Sequence, residues 1–410
     1  MKAIVNARVV TPDEIIDNGY ILIEGERIVK AGSLKNDKVP ENAVIINAEG
    51  LYAGPGFVDI HCHGGSRYWC HTHPAEMAAH HLNHGTTSLV CSIYKTVGFD
   101  GTIKGIERIK KCCYDKKPGN IIGIHLEGPY LSPGYGAASM GVTRLVPAEY
   151  NAYIEHSEGL LRNWTFSPEM DGLDDFVETA VKHGIPLSIG HSGAGPEEVD
   201  KYVKKGVSIV THLMDATGCS ITPARFAGTR EPSFDECVMI HDLFTEVIPD
   251  SKGVHVRPVM LKLIAKTMGY DRVIIITDAC VGDDVAMGND ACVSDNVAIG
   301  DVVALGDNIA LDDYSPEDML SARDINFVNG ELYGSKLTMN EACRNMKKHI
   351  GCGMAEIFKM AAKNPAQAIK LDEAGTIEDG KIANIVIVDE NFNIHHVLLN
   401  GMVKYSYKCS

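Results

Sequence analysis

Apolar and polar positions alternate at a period of two along the opening segment, the signature of half-buried strands. Three strands are predicted at Ala3–Val10, Gly19–Glu24 and Arg27–Gly32, and a fourth at Ala43–Ala48. Gly25-Glu26, between the second and third, predicts a tight hairpin turn. No long helical periodicity interrupts these strands.

The pattern changes near residue 54. Short, continuous apolar runs now alternate with amphipathic segments. The runs are Gly56–Ile60, Ser88–Cys91, Ile121–Leu126, Trp164–Phe166, Pro186–Gly190, Ser208–Thr211, Phe244–Ile248 and Val273–Thr277, eight in all. Asp174–His183 and Pro196–Lys205 are among the intervening helices. Continuously apolar strands separated by helices indicate a parallel sheet covered on both faces. Eight such units fit a (β/α)8 barrel better than an open sheet.

Alternation returns at the C-terminal end, in Ala383–Asp389 and His395–Gly401. Before them, Ala355–Leu371 reads as a helix that ends near Asn364-Pro365. Residues 280–330, rich in Gly and Asp, fit no barrel unit and predict a hairpin or lid beside the last strand. The expected fold is therefore α/β: a (β/α)8 TIM-like barrel at 54–374 with a small β-sandwich domain built from both chain termini, 1–53 plus 375–410.

Composition narrows the function. Across 410 residues, 38 basic against 54 acidic side chains give a net charge of −16. That field repels phosphate backbones and anionic lipid, so neither nucleic acid nor a membrane is an expected partner. No window approaches the ~20 apolar residues that a spanning helix needs. The N-terminus lacks the apolar stretch of a signal peptide. The 12 cysteines are scattered, without CxxC pairs, which reads as reduced thiols in a cytoplasm.

The chemistry lies in where the histidines and acids fall. His61 and His63 follow the first apolar run. At a spacing of two on a strand, both imidazoles point to one face. Glu127 ends the third run, His191 the fifth, His212 the sixth and Asp278 the eighth. All six stand at the C-terminal ends of parallel strands, where barrel enzymes place their sites. Imidazoles with carboxylates form a nitrogen and oxygen donor set suited to Zn2+ or another divalent transition ion. Such an ion brings the pKa of water to roughly 7. Asp278 is then placed to move a proton from water to a leaving amine. The histidines at 71, 73, 80, 81 and 84 have no acids beside them in sequence and read as surface or lid.

These residues, with Pro55–Gly64, His125–Tyr130, Pro168-Glu169-Met170, Gly190-His191-Ser192, Arg230-Glu231-Pro232 and Gly334–Met339, resemble the amidohydrolase superfamily. Within it, they resemble the N-acetylglucosamine-6-phosphate deacetylases. The resemblance implies hydrolysis of the acetamide of N-acetylglucosamine-6-phosphate or a close amino-sugar phosphate. It implies one or two divalent ions per subunit, with zinc first and Fe2+ or another ion as alternatives. Glu127, His191 and His212 would hold the principal ion, His61 and His63 a second, and Asp278 would be the acid and base. His255 would hold the sugar phosphate, and Arg230 would reach it across a homodimer interface. Ala138, Ser139, Asp215, Ala216, Leu332, Gly334 and Ser335 would line the substrate.

Some positions depart from that pattern. Ser139 stands where the family has a histidine, and Asp215 where it has an asparagine. Lys252 is gained ahead of His255. These changes predict an intact metal site beneath an altered substrate pocket. Two other readings stand beside deacetylation: hydrolysis of a different N-acyl or cyclic amide, and a catalytically silent scaffold.

Overall fold

The computed structural model describes residues 1–136, 144–218, 226–281, 322–328 and 331–406. Both ends of the chain build one sheet. Strands Lys2–Val10, Ile15–Glu24 and Arg27–Ser33 pair in succession, antiparallel, with Gly25-Glu26 at the expected turn. Strands Val44–Asn47 and Tyr52–Pro55 both lie parallel to Lys2–Val10, one along each half of it. Ile385–Val388 then pairs with Tyr52–Pro55, and Ile394–Leu399 and Met402–Ser406 complete the sheet. Ile4, Ile21 and Ile23 from one end pack with Ile385, Ile387 and Leu398 from the other. The alternation thus buries one face of this sheet in a core shared by both chain ends, consistent with a small sandwich.

Strand Tyr52–Pro55 was not expected from the pattern, because it is only four residues long and contains Gly and Pro. Its glycine is dictated by packing. A Cβ on Gly54 would sit 2.4 Å from Cε1 of Phe358, in the helix that covers this strand. Met402–Ser406 also lay outside the expected elements.

The eight apolar runs all become barrel strands. They are Phe57–Cys62, Thr86–Tyr94, Ile121–Glu127, Leu161–Phe166, Leu187–Ile189, Ile209–Val210, Phe244–Val247 and Val273–Ile275, each parallel to the next. A parallel bridge between Cys62 and Ala279 brings the chain beyond the last strand against the first. Beside it, the Thr277 hydroxyl donates to the buried Asp59 carboxylate at 2.6 Å. Helices Leu173–Lys182 and Pro196–Lys204 lie where the sequence places them.

At the end of the segment expected to form a hairpin or lid, Ile325–Val328 pairs antiparallel with Glu331–Ser335, which is bridged to Ala279. The rest of that segment, 282–321, lies outside the described residues. The helix expected to stop near Pro365 instead continues to Ala368. A π turn at Lys359–Lys363 precedes Pro365. Pro365 has no N–H to donate, and the wider turn absorbs that mismatch. Asn364 then pins the helix to the last barrel strand: its Nδ2 donates to the Tyr270 and Val273 carbonyls, each at 2.7 Å. Asn364→Ala should cost about 1–3 kcal/mol in urea unfolding, because it strands buried carbonyls. A change below about 0.5 kcal/mol would assign the anchoring elsewhere.

Candidate active site

Six side chains meet at the mouth of the barrel, and Glu127 is their centre. Its Oε1 lies 2.8 Å from His191 Nε2, 3.1 Å from His212 Nε2 and 3.4 Å from His61 Nε2. Its Oε2 lies 3.0 Å from His63 Nε2. Asp278 Oδ1 is 3.4 Å from His61 Nε2 and 3.3 Å from His63 Nε2. All six residues are buried. The predicted convergence is therefore present in full.

The far nitrogen of three imidazoles is held by an acceptor. His191 Nδ1 meets the Tyr135 carbonyl and His212 Nδ1 the Asp215 carbonyl, both at 3.1 Å. His61 Nδ1 meets Glu246 Oε2 at 3.0 Å. A carbonyl only accepts, so each facing Nδ1 must carry a proton. In the neutral ring, Nε2 is then a bare lone pair. Yet His191 and His212 aim their Nε2 atoms at one another, 3.1 Å apart, and at a carboxylate. Lone pairs converge this way around a cation. The donor set fits a divalent ion in two groups that share Glu127: His61, His63, Glu127 and Glu127, His191, His212, each with its donor atoms within 4.8 Å.

The same frustration appears in the titration of the groups. Burial alone would lower the pKa of His63, but Asp278 and Glu127 push it up to about 9. Burial likewise opposes His212, and Glu127 with Asp215 brings it to about 9. His61 is held well above its usual value, since Glu127, Asp278 and Glu246 outweigh burial. Burial would raise the Asp278 carboxyl, but His61 and His63 hold it below the usual range, ionised. His125, just beneath His61, behaves oppositely. Burial and the nearby His61 keep it well below its ordinary value. It spans the hydroxyls of Ser92 and Thr165 at 2.9 and 2.8 Å.

Three of the six leave their strands through the left-handed region: His191 at φ 48°, His212 at 23° and Asp278 at 46°. Each such residue costs on the order of 1–3 kcal/mol. Neighbours hold the turns. Ser167 donates to the His191 carbonyl at 2.7 Å, and Glu169 accepts from Ser192 Oγ and Gly193 N. This is the work of the Pro168-Glu169-Met170 motif.

A cavity of about 370 Å³ opens over the cluster. Asp215, Ala216, Leu332 and Gly334 line it, as expected of them. Ser335 is instead fully buried, donating to the Thr277 carbonyl at 2.6 Å, so it braces the Asp278 turn. His255 is buried behind Gly334, with Nδ1 3.0 Å from Asp250 and Nε2 3.0 Å from the Gly334 carbonyl. Arg230 stands outside the cavity, largely exposed, paired with Glu236 at 2.7 Å. Ala138 and Ser139 lie outside the described residues.

Sequence reasoning missed Trp69 and Tyr94, both in the cavity wall, and Glu246. Trp69 presents a buried indole N–H without a partner. It also misplaced His81, which is fully buried rather than at the surface. The helix Pro74–Asn83 turns His81 inward, where Nε2 meets the Gly64 carbonyl at 2.9 Å.

The class of protein follows from these features together with the comparisons. Residues 52–404 match the model of the amidohydrolase family, and the chain belongs to that family. It is 28% identical, over 98% of its length and 96% of the relative's, to the N-acetylglucosamine-6-phosphate deacetylase of Bacillus subtilis. It is 27% identical to the N-acetylgalactosamine-6-phosphate deacetylase of a Shewanella species, over 85% of this chain and 82% of that one. A mutant Mycobacterium smegmatis N-acetyl-D-glucosamine-6-phosphate deacetylase, solved in complex with N-acetyl-D-glucosamine-6-phosphate, superposes with a TM-score of 0.76. The identity is 26%, over 98% of both chains.

The raised histidines set a pH dependence for the metal-free protein. Their charged forms neutralise Glu127 and Asp278, so this stability is complete below the unfolded value of ~6.5. It is lost as pH rises through about 9, the value for His63 and His212. Stripped protein should therefore melt at a lower temperature at ~pH 9.5 than at ~pH 6.5. Loading with a divalent cation should flatten that slope, because the ion takes the place of the protons. A stripped protein with no fall in Tm over this interval would exclude the imidazoles as the neutralising charges.

Proposed function

We propose that the protein hydrolyses the acetamide of N-acetylglucosamine-6-phosphate, or of a close amino-sugar phosphate, to the free amine and acetate. One observation carries this reading: two three-residue donor groups share Glu127 beneath a cavity large enough for a sugar, with ionised Asp278 against both His61 and His63. The deacetylase relatives match over nearly the whole chain and supply the substrate class.

Glu127, His191 and His212 would hold one divalent ion, and His61 and His63 a second that also uses Glu127; zinc suits this donor set best. When bound, the ion supplies Lewis acidity to water and to the amide carbonyl. Asp278 begins as a carboxylate and accepts the proton of the attacking water. It then returns that proton to the amine nitrogen as the C–N bond breaks. Trp69 and Tyr94 wall the cavity and would offer aromatic surface to the sugar. Asp215, Ala216, Leu332 and Gly334 shape the far side, His255 backs it from behind Gly334, and Ala138 and Ser139 are assigned there by resemblance. Arg230 is exposed and outside its own cavity; by resemblance it would serve the partner's site in a homodimer. Nine described cysteines are free thiols, in keeping with a cytoplasmic protein.

A second reading has its own observation. Among the described residues that line the cavity there is no Lys or Arg, while Asp215 and Glu331 both contribute to its wall. Carboxylates there disfavour a phosphate, so an unphosphorylated or differently acylated amino sugar is the alternative.

Amine release from N-acetylglucosamine and N-acetylgalactosamine, each with and without the 6-phosphate, separates the two readings. Preference for the 6-phosphates supports the first, and preference for the neutral sugars the second. No turnover of any, with metal bound, overturns both. Asp278→Asn should retain its metal while kcat falls by ~10² or more; near-wild-type turnover would remove Asp278 from the proton path.

A further inference from the structure

Glu246 is the one carboxylate in its barrel strand, amid Phe244, Thr245 and Val247. It is fully buried, and one of its oxygens, Oε1, has no hydrogen-bond partner. The other, Oε2, lies 3.0 Å from His61 Nδ1 and also accepts from the backbone N–H of His212 at 3.4 Å. An isolated buried carboxylate is costly unless positive charge stands close by. Across the His61 ring, Nε2 faces the carboxylates of Glu127 and Asp278, each at 3.4 Å, so the neutralising charge would be an ion held there.

We infer that Glu246 is a positioning residue for the metal centre: it fixes His61 as the Nδ1–H tautomer, so that the Nε2 lone pair faces the ion. A carboxylate behind a ligating imidazole sets ring orientation and strengthens the ligand. The bond to His212 N–H anchors the same carboxylate to the strand end that carries the other donor group. Glu246 thereby joins the two halves of the site from below, although it touches neither water nor the cavity. This inference rests on the proposed metal-dependent reading.

The test is Zn2+ titration of the metal-free full-length protein against a competing chelator, for wild type, Glu246→Gln and Glu246→Ala. The group Glu127, His191 and His212 serves as the internal reference. Ion affinity at His61 and His63 should fall by about 10–100-fold in Glu246→Ala, with a smaller loss in Glu246→Gln, which keeps an acceptor oxygen. Binding at the reference group, which Glu246 meets only through the His212 backbone N–H at 3.4 Å, should change less. Nitrogen NMR of the Zn2+-loaded protein should show the His61 tautomer mixed in the alanine variant and single in the wild type. Should the alanine variant fail to fold, the near-isosteric glutamine variant carries the test. Affinity at His61 and His63 within two-fold of wild type, or an unchanged tautomer, overturns the inference while leaving the metal reading intact. A wild-type protein that binds no ion overturns the metal reading itself.

Discussion

A negative charge shut away from water has to be neutralised by whatever surrounds it. Glu127 is such a charge, at the end of a barrel strand and almost wholly buried. Four imidazoles close on it, within 2.8 to 3.4 Å. They come from the ends of three other strands, so the arrangement exists only when the barrel is closed. The Asp59–Thr277 hydrogen bond and the Cys62–Ala279 bridge at the seam therefore belong to the chemistry as much as to the fold. They hold His61 and Asp278, the two sides of the seam, in mutual register.

The second constraint is orientation. A ring that must offer Nε2 to the centre needs its Nδ1 engaged behind it. Carbonyls do this for His191 and His212, and Glu246 for His61. The carbonyls that serve lie in loops after the strands, which explains why the backbone bends so sharply at these positions. Left-handed conformations at His191, His212 and Asp278 are the cost of turning each side chain inward directly at a strand end. Ser167, Glu169 and Ser335 are the braces that keep those turns in place.

What could be read from the sequence, and what could not, follows from the same geometry. Parallel strands buried on both faces leave continuous apolar runs, so all eight were visible, and the ligands at their ends stood out against them. Tyr52–Pro55 was hidden because its short Gly- and Pro-bearing stretch was chosen by the ring of Phe358. Glu246 was visible only as an acid in an apolar strand, and its partner lies 185 residues earlier. Trp69, in the two-residue strand Tyr68–Trp69, and Tyr94, at the end of Thr86–Tyr94, reach the cavity from positions whose direction no local pattern encodes. His81 was misread because a histidine with no acid near it in sequence can still be buried against a carbonyl. The place of Ser335 behind the Asp278 turn required knowing that the hairpin folds back on the last strand.

The sheet at the chain ends has a consequence for the order of synthesis. Tyr52–Pro55 leaves the ribosome early, but its partner, Ile385–Val388, is made only after the entire barrel. Until then one edge of Tyr52–Pro55 presents unpaired amides, the kind of surface that recruits stray strands. Its four-residue length, with a proline at its end, limits what such an edge can capture. The last strands to be made thus act as the closing clasp on a nascent chain whose barrel has already been delivered.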